Sequence, residues 1–185
     1  MTDILFSSWG GVITDNRGKP EGERKVIPNL NLPLEFDKEQ KIRAFIGWDG
    51  IAIRDPDVNI VDMIRAYLEA VQKESCGKCT PCRVGTRIMS TVVNRIADGQ
   101  GGLEDLEKLK SLGELIMKSS KCNLGQTGPK PVLHAIDHFE EQFSGVIQLN
   151  KKIPRQEYKV KVTAPCVSAC PSHLPIYDYI ELIKE

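Results

Sequence analysis

The stretch Cys76-Gly77-Lys78-Cys79-Thr80-Pro81-Cys82 sets three cysteines at two-residue spacing, and a fourth, Cys122, follows in Lys121-Cys122-Asn123-Leu124-Gly125. With two residues between ligands, one short loop can place three sulfurs around one face of a cubane iron–sulfur cluster, and a remote fourth cysteine can close the cage. Zinc sites usually pair their ligands two and two, so the three-plus-one arrangement favours iron. The sequence therefore predicts that Cys76, Cys79, Cys82 and Cys122 hold a [4Fe-4S] cluster.

Other interpretations of these cysteines stay open on the residues alone. They could form a structural zinc module that joins subunits without moving electrons. They could instead be small core residues or disulfides. The domain could also be a metal-free helical docking platform, although the intact ligand spacing counts against that.

The composition favours a modest intracellular domain with appendages. The 185 residues are 41% hydrophobic, with 25 basic and 25 acidic side chains, so nothing in the charge indicates a nucleic acid or an anionic membrane as partner. The start, Met1-Thr-Asp-Ile-Leu-Phe, lacks the basic residues of a signal peptide, and no apolar run is long enough for a membrane span. We expect a cytoplasmic protein, in which six cysteines are better interpreted as metal ligands than as disulfides.

The chain divides into four segments. Residues 1–56 hold short apolar runs between glycine-rich turns and predict short strands or irregular structure. Residues 57–146 predict a small four-helix bundle that places both cysteine segments in interhelical loops at one end. The helices are expected from Ile60 after an Asp57 or Asn59 cap, from a Thr80 cap with Pro81 in the first turn, from Leu103 to about Lys118, and from Pro129 through Phe143.

The last two segments follow the bundle. Residues 147–165 form a basic linker that is expected to be an extended tether, and residues 166–185 begin a second iron–sulfur domain that ends in mid-helix. Cys166 and Cys170-Pro171 have a spacing typical of ferredoxin-type sites, yet two thiolates cannot hold a cubane alone. We expect the chain to be the amino-terminal piece of a longer protein that completes this second cluster; sharing it with another subunit is the alternative.

The first cysteine segment resembles a known family. Glu74-Ser-Cys-Gly-Lys-Cys-Thr-Pro-Cys-Arg83, with Cys122-x-Leu124-Gly125 and His138-Phe139 downstream, looks like the iron–sulfur domain of the flavin-containing, NADH-oxidising subunit of respiratory complex I. Similar domains occur in bidirectional hydrogenases and NAD-linked formate dehydrogenases. The resemblance covers roughly residues 44–143.

The tail resembles a different family. Ala-Pro-Cys166-x3-Cys170-Pro followed by Leu-Pro-Ile-Tyr-x-Tyr-Ile-Glu-Leu-Ile is similar to the start of the glutamate synthase small subunit, where such cysteines begin a cubane ligand set ahead of FAD- and NAD(P)H-binding domains. Together the two resemblances imply an NAD(P)H-linked, FAD-containing oxidoreductase. Because the sequence has no G-x-G-x-x-G or G-x-x-x-x-G-K-[ST] loop, FAD and NAD(P)H are expected on missing residues or on a partner.

The resulting hypothesis is a mainly α protein, a four-helix bundle with an iron–sulfur cluster at one end, that performs outer-sphere electron transfer without a catalytic residue of its own. Its partners would be a flavin-containing domain or subunit and other redox subunits. Lys78 and Arg83 beside the ligands would favour the more negative reduced state and so raise the potential if they stay close. His134 and His138 have the spacing of a zinc face but lack a third ligand nearby, so a packing role is favoured.

Overall fold

The structure, a computed structural model, describes residues 4–26 and 42–183. Parts of the predicted N-terminal segment, residues 1–3 and 27–41, therefore lie outside the described residues. The helices are α1 Ile60–Lys73, α2 Thr80–Ala97, α3 Glu104–Ser119, α4 Asn123–Thr127, α5 Lys130–His138, α6 Glu140–Leu149, α7 Pro165–Ala169 and α8 Ile176–Leu182. The strands are β1 Phe6–Ser7, β2 Thr14–Asp15, β3 Ala44–Gly47, β4 Gly50–Ile53 and β5 Lys159–Lys161.

The predicted class, mainly α with N-terminal strands, is confirmed. The strands form one sheet in the order β2-β1-β4-β3-β5. β3 and β4 are an antiparallel hairpin in which Phe45 faces Ala52, whereas β5 is parallel to β3 and places Lys159 opposite Phe45. The hairpin needs Gly50, since its φ is +142° and a Cβ there would lie 2.5 Å from the Ser8 carbonyl oxygen.

The helical bundle packs against this sheet through α1 and through α5, which contacts β4. Asn59 is the N-cap of α1, and its side chain accepts a hydrogen bond from the Asp62 N–H. The predicted apolar stripe of this helix is buried in one core, in which α1 contacts α2 as well as β3 and β5 of the sheet. That stripe comprises Ile60, Val61, Ile64, Tyr67, Leu68 and Val71. α1 therefore carries the chain from the sheet to the first cysteine.

Two details of the predicted helices are wrong. The N-cap of α2 is Cys79, one residue earlier than the expected Thr80, so that Thr80 and Pro81 both lie in the first turn. The single fourth helix is broken at Phe139, whose φ of −133° and ψ of 29° are not helical. The Phe139 ring instead packs edge-on against Phe6 of the sheet, with centroids 4.7 Å apart. The break thus joins the bundle to the sheet.

The segment predicted as a basic tether lies along the bundle. α6 ends at Leu149, and the chain then runs past α1 and adds β5 to the sheet. Among the described residues, the helices include none long and apolar enough to span a membrane.

Candidate metal centre

The loop between α1 and α2 carries Cys76 and Cys79, leads directly to Cys82 in α2, and is held from both sides. Gly77 has a φ of +68°, a left-handed conformation that lets the chain reverse after Cys76. The Gly77 N–H donates to Ser75 Oγ at 3.3 Å, and Arg83 Nη1 donates to the Gly77 carbonyl oxygen at 2.5 Å. The guanidinium of Arg83 is therefore engaged in fixing the loop that presents the thiols.

The N-termini of two helices, α2 and α4, determine the positions of three of the cysteines. Cys79 is the N-cap of α2 and Cys82 lies in its first turn, where the aligned peptide dipoles favour negative charge. Cys122 is the N-cap of the short helix α4, and its carbonyl oxygen accepts hydrogen bonds from the Gly125 and Gln126 N–H groups at 3.1 Å each. Both cysteine segments thus occupy interhelical loops on one side of the bundle.

All four predicted cluster ligands line one cavity of about 210 Å³. Cys82 is buried, Cys76 and Cys79 are half-buried and Cys122 is exposed, so the cavity reaches the surface near Cys122. Its remaining walls are mostly apolar and include Leu124, Ile176 and Ile180. Over residues 4–26 and 42–183, no three or more His, Cys, Asp or Glu side chains are grouped so that they could hold one metal ion.

The surroundings of Cys82 in this cavity disfavour its thiolate form. Burial raises the pKa of the Cys82 thiol, the hydrogen bond with Ser75 opposes that shift, and the charges of Cys122, Cys79 and Cys76 raise it further. The net shift of the pKa is upward. The irons of a cluster would supply positive charge that offsets this cost to the Cys82 thiolate. The donor set and the cavity therefore fit an iron–sulfur cluster.

Two serines beside the ligands were not singled out from the sequence. Ser75 Oγ lies 3.5 Å from Cys82 Sγ; because this oxygen already accepts the Gly77 N–H, its own hydrogen is available to the sulfur. Ser120 Oγ is buried and has no hydrogen-bond partner among the described residues, and Ser120 also lines the cavity. Their positions immediately before Cys76 and two residues before Cys122 are the only signal that the sequence offers.

The C-terminal segment closes one side of the cavity. Ala164, Pro165 and Cys166 line it together with α8, and the Glu74 carboxylate holds this segment in place. Glu74 Oε2 accepts the Ala164 N–H at 2.7 Å, and Oε1 accepts the Tyr177 hydroxyl at 3.3 Å. Cys166 therefore lies at the same cavity as the four predicted ligands, whereas Cys170 is not among its lining residues.

The two histidines lie elsewhere. His134 lines a different cavity, beside Trp48 and Asp49, and burial lowers its pKa. The His138 ring packs against Phe6, with centroids 5.3 Å apart. Neither belongs to the cysteine cavity.

A family model described as the NADH-ubiquinone oxidoreductase-F iron-sulfur binding region matches residues 62–145, which contain Cys76, Cys79, Cys82 and Cys122. Residues 62–145 are therefore similar to this family over somewhat less than half of the chain. The resemblance to the complex I subunit is thereby confirmed, and this part of the chain, here called the F-type region, is an iron–sulfur binding region.

Curated relatives of the chain are subunits of redox enzymes. The NADPH-Fe(3+) oxidoreductase subunit beta of Geobacter sulfurreducens is 40% identical over 100% of this chain and 27% of its own length. The NADP(+)-dependent formate dehydrogenase subunit beta of Moorella thermoacetica is 35% identical over 100% of this chain and 31% of its own length. The HndC subunit of the NADP-reducing hydrogenase of Solidesulfovibrio fructosivorans is 33% identical over 83% of this chain and 32% of its own length.

Part of the chain is also similar to a solved structure. The crystal structure of an NAD+-reducing [NiFe]-hydrogenase in its H2-reduced state matches 55% of this chain and 18% of its own with 33% identity and a TM-score of 0.50. The present chain therefore spans about a third or less of the length of each of these relatives.

Proposed function

We propose that this chain is an electron-transfer module in which Cys76, Cys79, Cys82 and Cys122 hold a [4Fe-4S] cluster that carries one electron at a time. The observation that carries the proposal is that these four side chains, from two separate segments of the F-type region, line one cavity. A cubane has a sulfur ligand on each of four irons, so its ligands surround a volume, whereas a zinc ion with Zn–S bonds of about 2.3 Å draws its ligands onto one point.

The protein's own contribution is to hold the sulfurs and set their surroundings. When bound, the cluster supplies a one-electron couple whose potential depends on charge, hydrogen bonds to its sulfurs and burial. Ser75 can donate to Cys82 Sγ, Arg83 fixes the loop, and Lys78 lines the cavity with a positive charge. Leu124, Ile176 and Ile180 exclude water from one side.

The larger protein would be an NAD(P)H-dependent, FAD-containing oxidoreductase similar to the glutamate synthase small subunit. In it FAD and NAD(P)H would bind to residues outside this chain or to a partner subunit. The link to NAD(P)H is supported by the relatives, which are subunits of NADPH- and NADP-linked enzymes, and the further residues are supported by the relatives' greater length. Its partners would be a flavin-containing domain or subunit and further redox subunits. The location would be the cytoplasm, since cysteines that serve as metal ligands fit a reducing compartment better than an oxidising one.

Cys166 and Cys170 would contribute half of a second [4Fe-4S] site, completed by residues outside the chain or by a partner. Backbone N–H groups of Leu174, Ser172 and His173 lower the pKa of Cys170, which favours the thiolate that metal binding needs. Cys166 at the edge of the first cavity would bring this second site close to the first.

The test is the content of iron and acid-labile sulfide, with low-temperature EPR after dithionite reduction, on anaerobically prepared protein. We expect a full cubane of iron and sulfide and a reducible signal that is lost or altered in Cys122→Ser. Cys170→Ser is the matched control, because Cys170 does not line the cavity, and it should keep the first signal. Zinc in place of iron would establish the structural zinc module, and a folded, metal-free protein would establish the docking platform.

A further inference from the structure

Ser120 is the C-cap of α3, two residues before Cys122, and both of its backbone polar groups are hydrogen-bonded. Its N–H donates to the Ile116 carbonyl oxygen at 3.0 Å, and its carbonyl oxygen accepts Gln126 Nε2 at 3.0 Å. These two bonds fix the position of Ser120 between α3 and α4. The hydroxyl is left as its only polar group without a partner in the described part of the chain.

That hydroxyl lies against the first cysteine segment. The Ser120 residue is 6% exposed and lines the cavity of the four cysteines. A Cβ atom built on Gly125 would collide with Ser120 Oγ and would lie 3.5 Å from Cys82 Cβ, so the hydroxyl and the Cys82 side chain are neighbours across Gly125. Gly125 has no side chain that would stand between them at this point.

Leaving a buried hydroxyl without a hydrogen bond costs about 1–3 kcal/mol, so native proteins supply a partner. Thiolate and sulfide sulfurs are acceptors, and the cavity that Ser120 lines is the one in which they would be concentrated. Ser75 differs, since its hydroxyl already lies beside Cys82 Sγ and also accepts the Gly77 N–H. Of these two serines, Ser120 is thus the one whose hydroxyl has no partner within residues 4–26 and 42–183.

We propose that the Ser120 hydroxyl donates a hydrogen bond to a sulfur of the iron–sulfur centre and raises its reduction potential. The inference rests on the proposed function, since it needs the cluster to be bound. The direction follows from charge: the reduced cluster is one unit more negative, so a donor stabilises it more than it stabilises the oxidised form. Ser120 is a positioning and tuning residue, and it takes no part in bond making.

Redox titration followed by EPR tests this on the wild-type protein, on Ser120→Ala and on Ser90→Ala. Ser90 is the matched control, because it is a buried serine whose hydroxyl already has a partner, Asn94 Nδ2, at 3.3 Å. We expect an iron content equal to wild type in both variants and a lower midpoint potential in Ser120→Ala alone. ENDOR of the reduced protein should show an exchangeable proton coupling that is lost in Ser120→Ala and kept in Ser90→Ala.

Gly125→Ala is a second variant that keeps the hydroxyl but displaces it, and its midpoint potential should also fall. If Ser120→Ala fails to retain iron, the midpoint potential of Gly125→Ala shows whether the Ser120 hydroxyl raises the potential. An unchanged potential in the variants that retain iron, with the proton coupling intact, would overturn the proposal and assign a buried water as the partner of Ser120. A wild-type protein without iron would contradict the proposed function itself, which is a distinguishable result.

Discussion

At the scale of single residues, the buried carboxylate of Asp105 shows how this chain compensates polar groups in its core. Its side chain has no exposed surface, yet it accepts the Gly102 N–H at 2.9 Å and contacts Arg95 and Lys108. Burial alone would raise the pKa of this carboxyl, but the Gly102 N–H and the two cations outweigh it and the pKa is lowered. Asp105 therefore ties the start of α3 to the end of α2 as an anion.

This lowered pKa predicts a pH-dependent contribution to stability. The unfolded carboxyl has a pKa of about 3.9, so the stabilisation is fully present above that pH and is lost as the pH falls through the lower pKa of the folded state. We expect Asp105→Asn to unfold at a lower temperature than wild type at pH 7. The difference between the two melting temperatures should become smaller below about pH 4. Circular dichroism melting curves at several pH values, at matched metal content, measure this. Glu107→Gln, an exposed change on the same helix, should show no such narrowing.

Candidate metal ligands could be predicted from the sequence, because their spacing is informative by itself. Residues whose role depends on distant neighbours in the fold could not. The spacing of Cys76, Cys79 and Cys82 has meaning without a fold, because a short loop must bring those sulfurs together. Ser120 and Glu74 look ordinary in the sequence, since their significance depends on which distant groups the fold places beside them. The ligand role of the cysteines themselves stays a prediction until metal is measured.

At the scale of elements, close packing of α2 on α3 depends on a glycine. A Cβ on Gly85 would lie 2.6 Å from Ile116 Cγ1 and 2.7 Å from Cδ1, and Ile116 is fully buried. The two helices carry the two cysteine segments at their ends. Their separation at this point therefore affects how the loops meet.

Gly85→Ala should destabilise the protein by about 1–3 kcal/mol, because the added methyl group overpacks the interface between these helices. Gly145→Ala is the control: it is also in a helix, nothing lies within 4 Å of its Cβ position, and it should be neutral or stabilising by up to about 1 kcal/mol. Urea unfolding of both variants measures the difference. Equal free energies of unfolding would show that α2 and α3 separate easily at Gly85.

The C-terminal helices α7 and α8 depend on one carboxylate of the cluster loop. Because Glu74 accepts from both Ala164 and Tyr177, Glu74→Ala removes two hydrogen bonds to a charged group, worth about 1.5 kcal/mol or more. We expect amide hydrogen exchange in residues 164–183 to become about tenfold faster while exchange in α1 stays unchanged. Glu107→Ala, an exposed change on α3, should leave both regions as in wild type. Unchanged exchange in the Glu74 variant would mean that apolar contacts alone hold this segment.

The broken fourth helix illustrates what periodicity cannot predict at this scale. The apolar spacing of Val132, Ile136, Phe139 and Phe143 fits one continuous helix, and all four residues are buried as expected. The break at Phe139 comes from a partner far away in sequence, the Phe6 ring of the sheet. Local patterns indicate which face is buried, whereas the tertiary partner decides where the helix ends.

At the scale of the whole molecule, the strap of residues 153–164 joins the sheet, the bundle and the C-terminal segment. Asp62 on α1, with its side chain 1% exposed, pairs with the buried Arg65 and also accepts the Gln156 N–H of the strap at 2.7 Å. β5 then pairs with β3, a contact between residues more than a hundred positions apart. Composition identified the strap as basic and extended, but the strand pairing depends on long-range contacts that no local signal specifies.

Asp62→Ala is expected to destabilise the whole molecule by about 3–5 kcal/mol, because it leaves the Arg65 guanidinium buried and unpaired and frees the strap. Arg155→Ala on the same strap removes a solvent-exposed pair with Glu69 and should cost about 1 kcal/mol or less. Urea unfolding gives both free energies, and hydrogen exchange shows where the change acts. Since the strap spans sheet and bundle, the first variant should accelerate exchange in β3 as well as in α1. Faster exchange confined to the strap would show that the sheet and the bundle are stable independently of this connection.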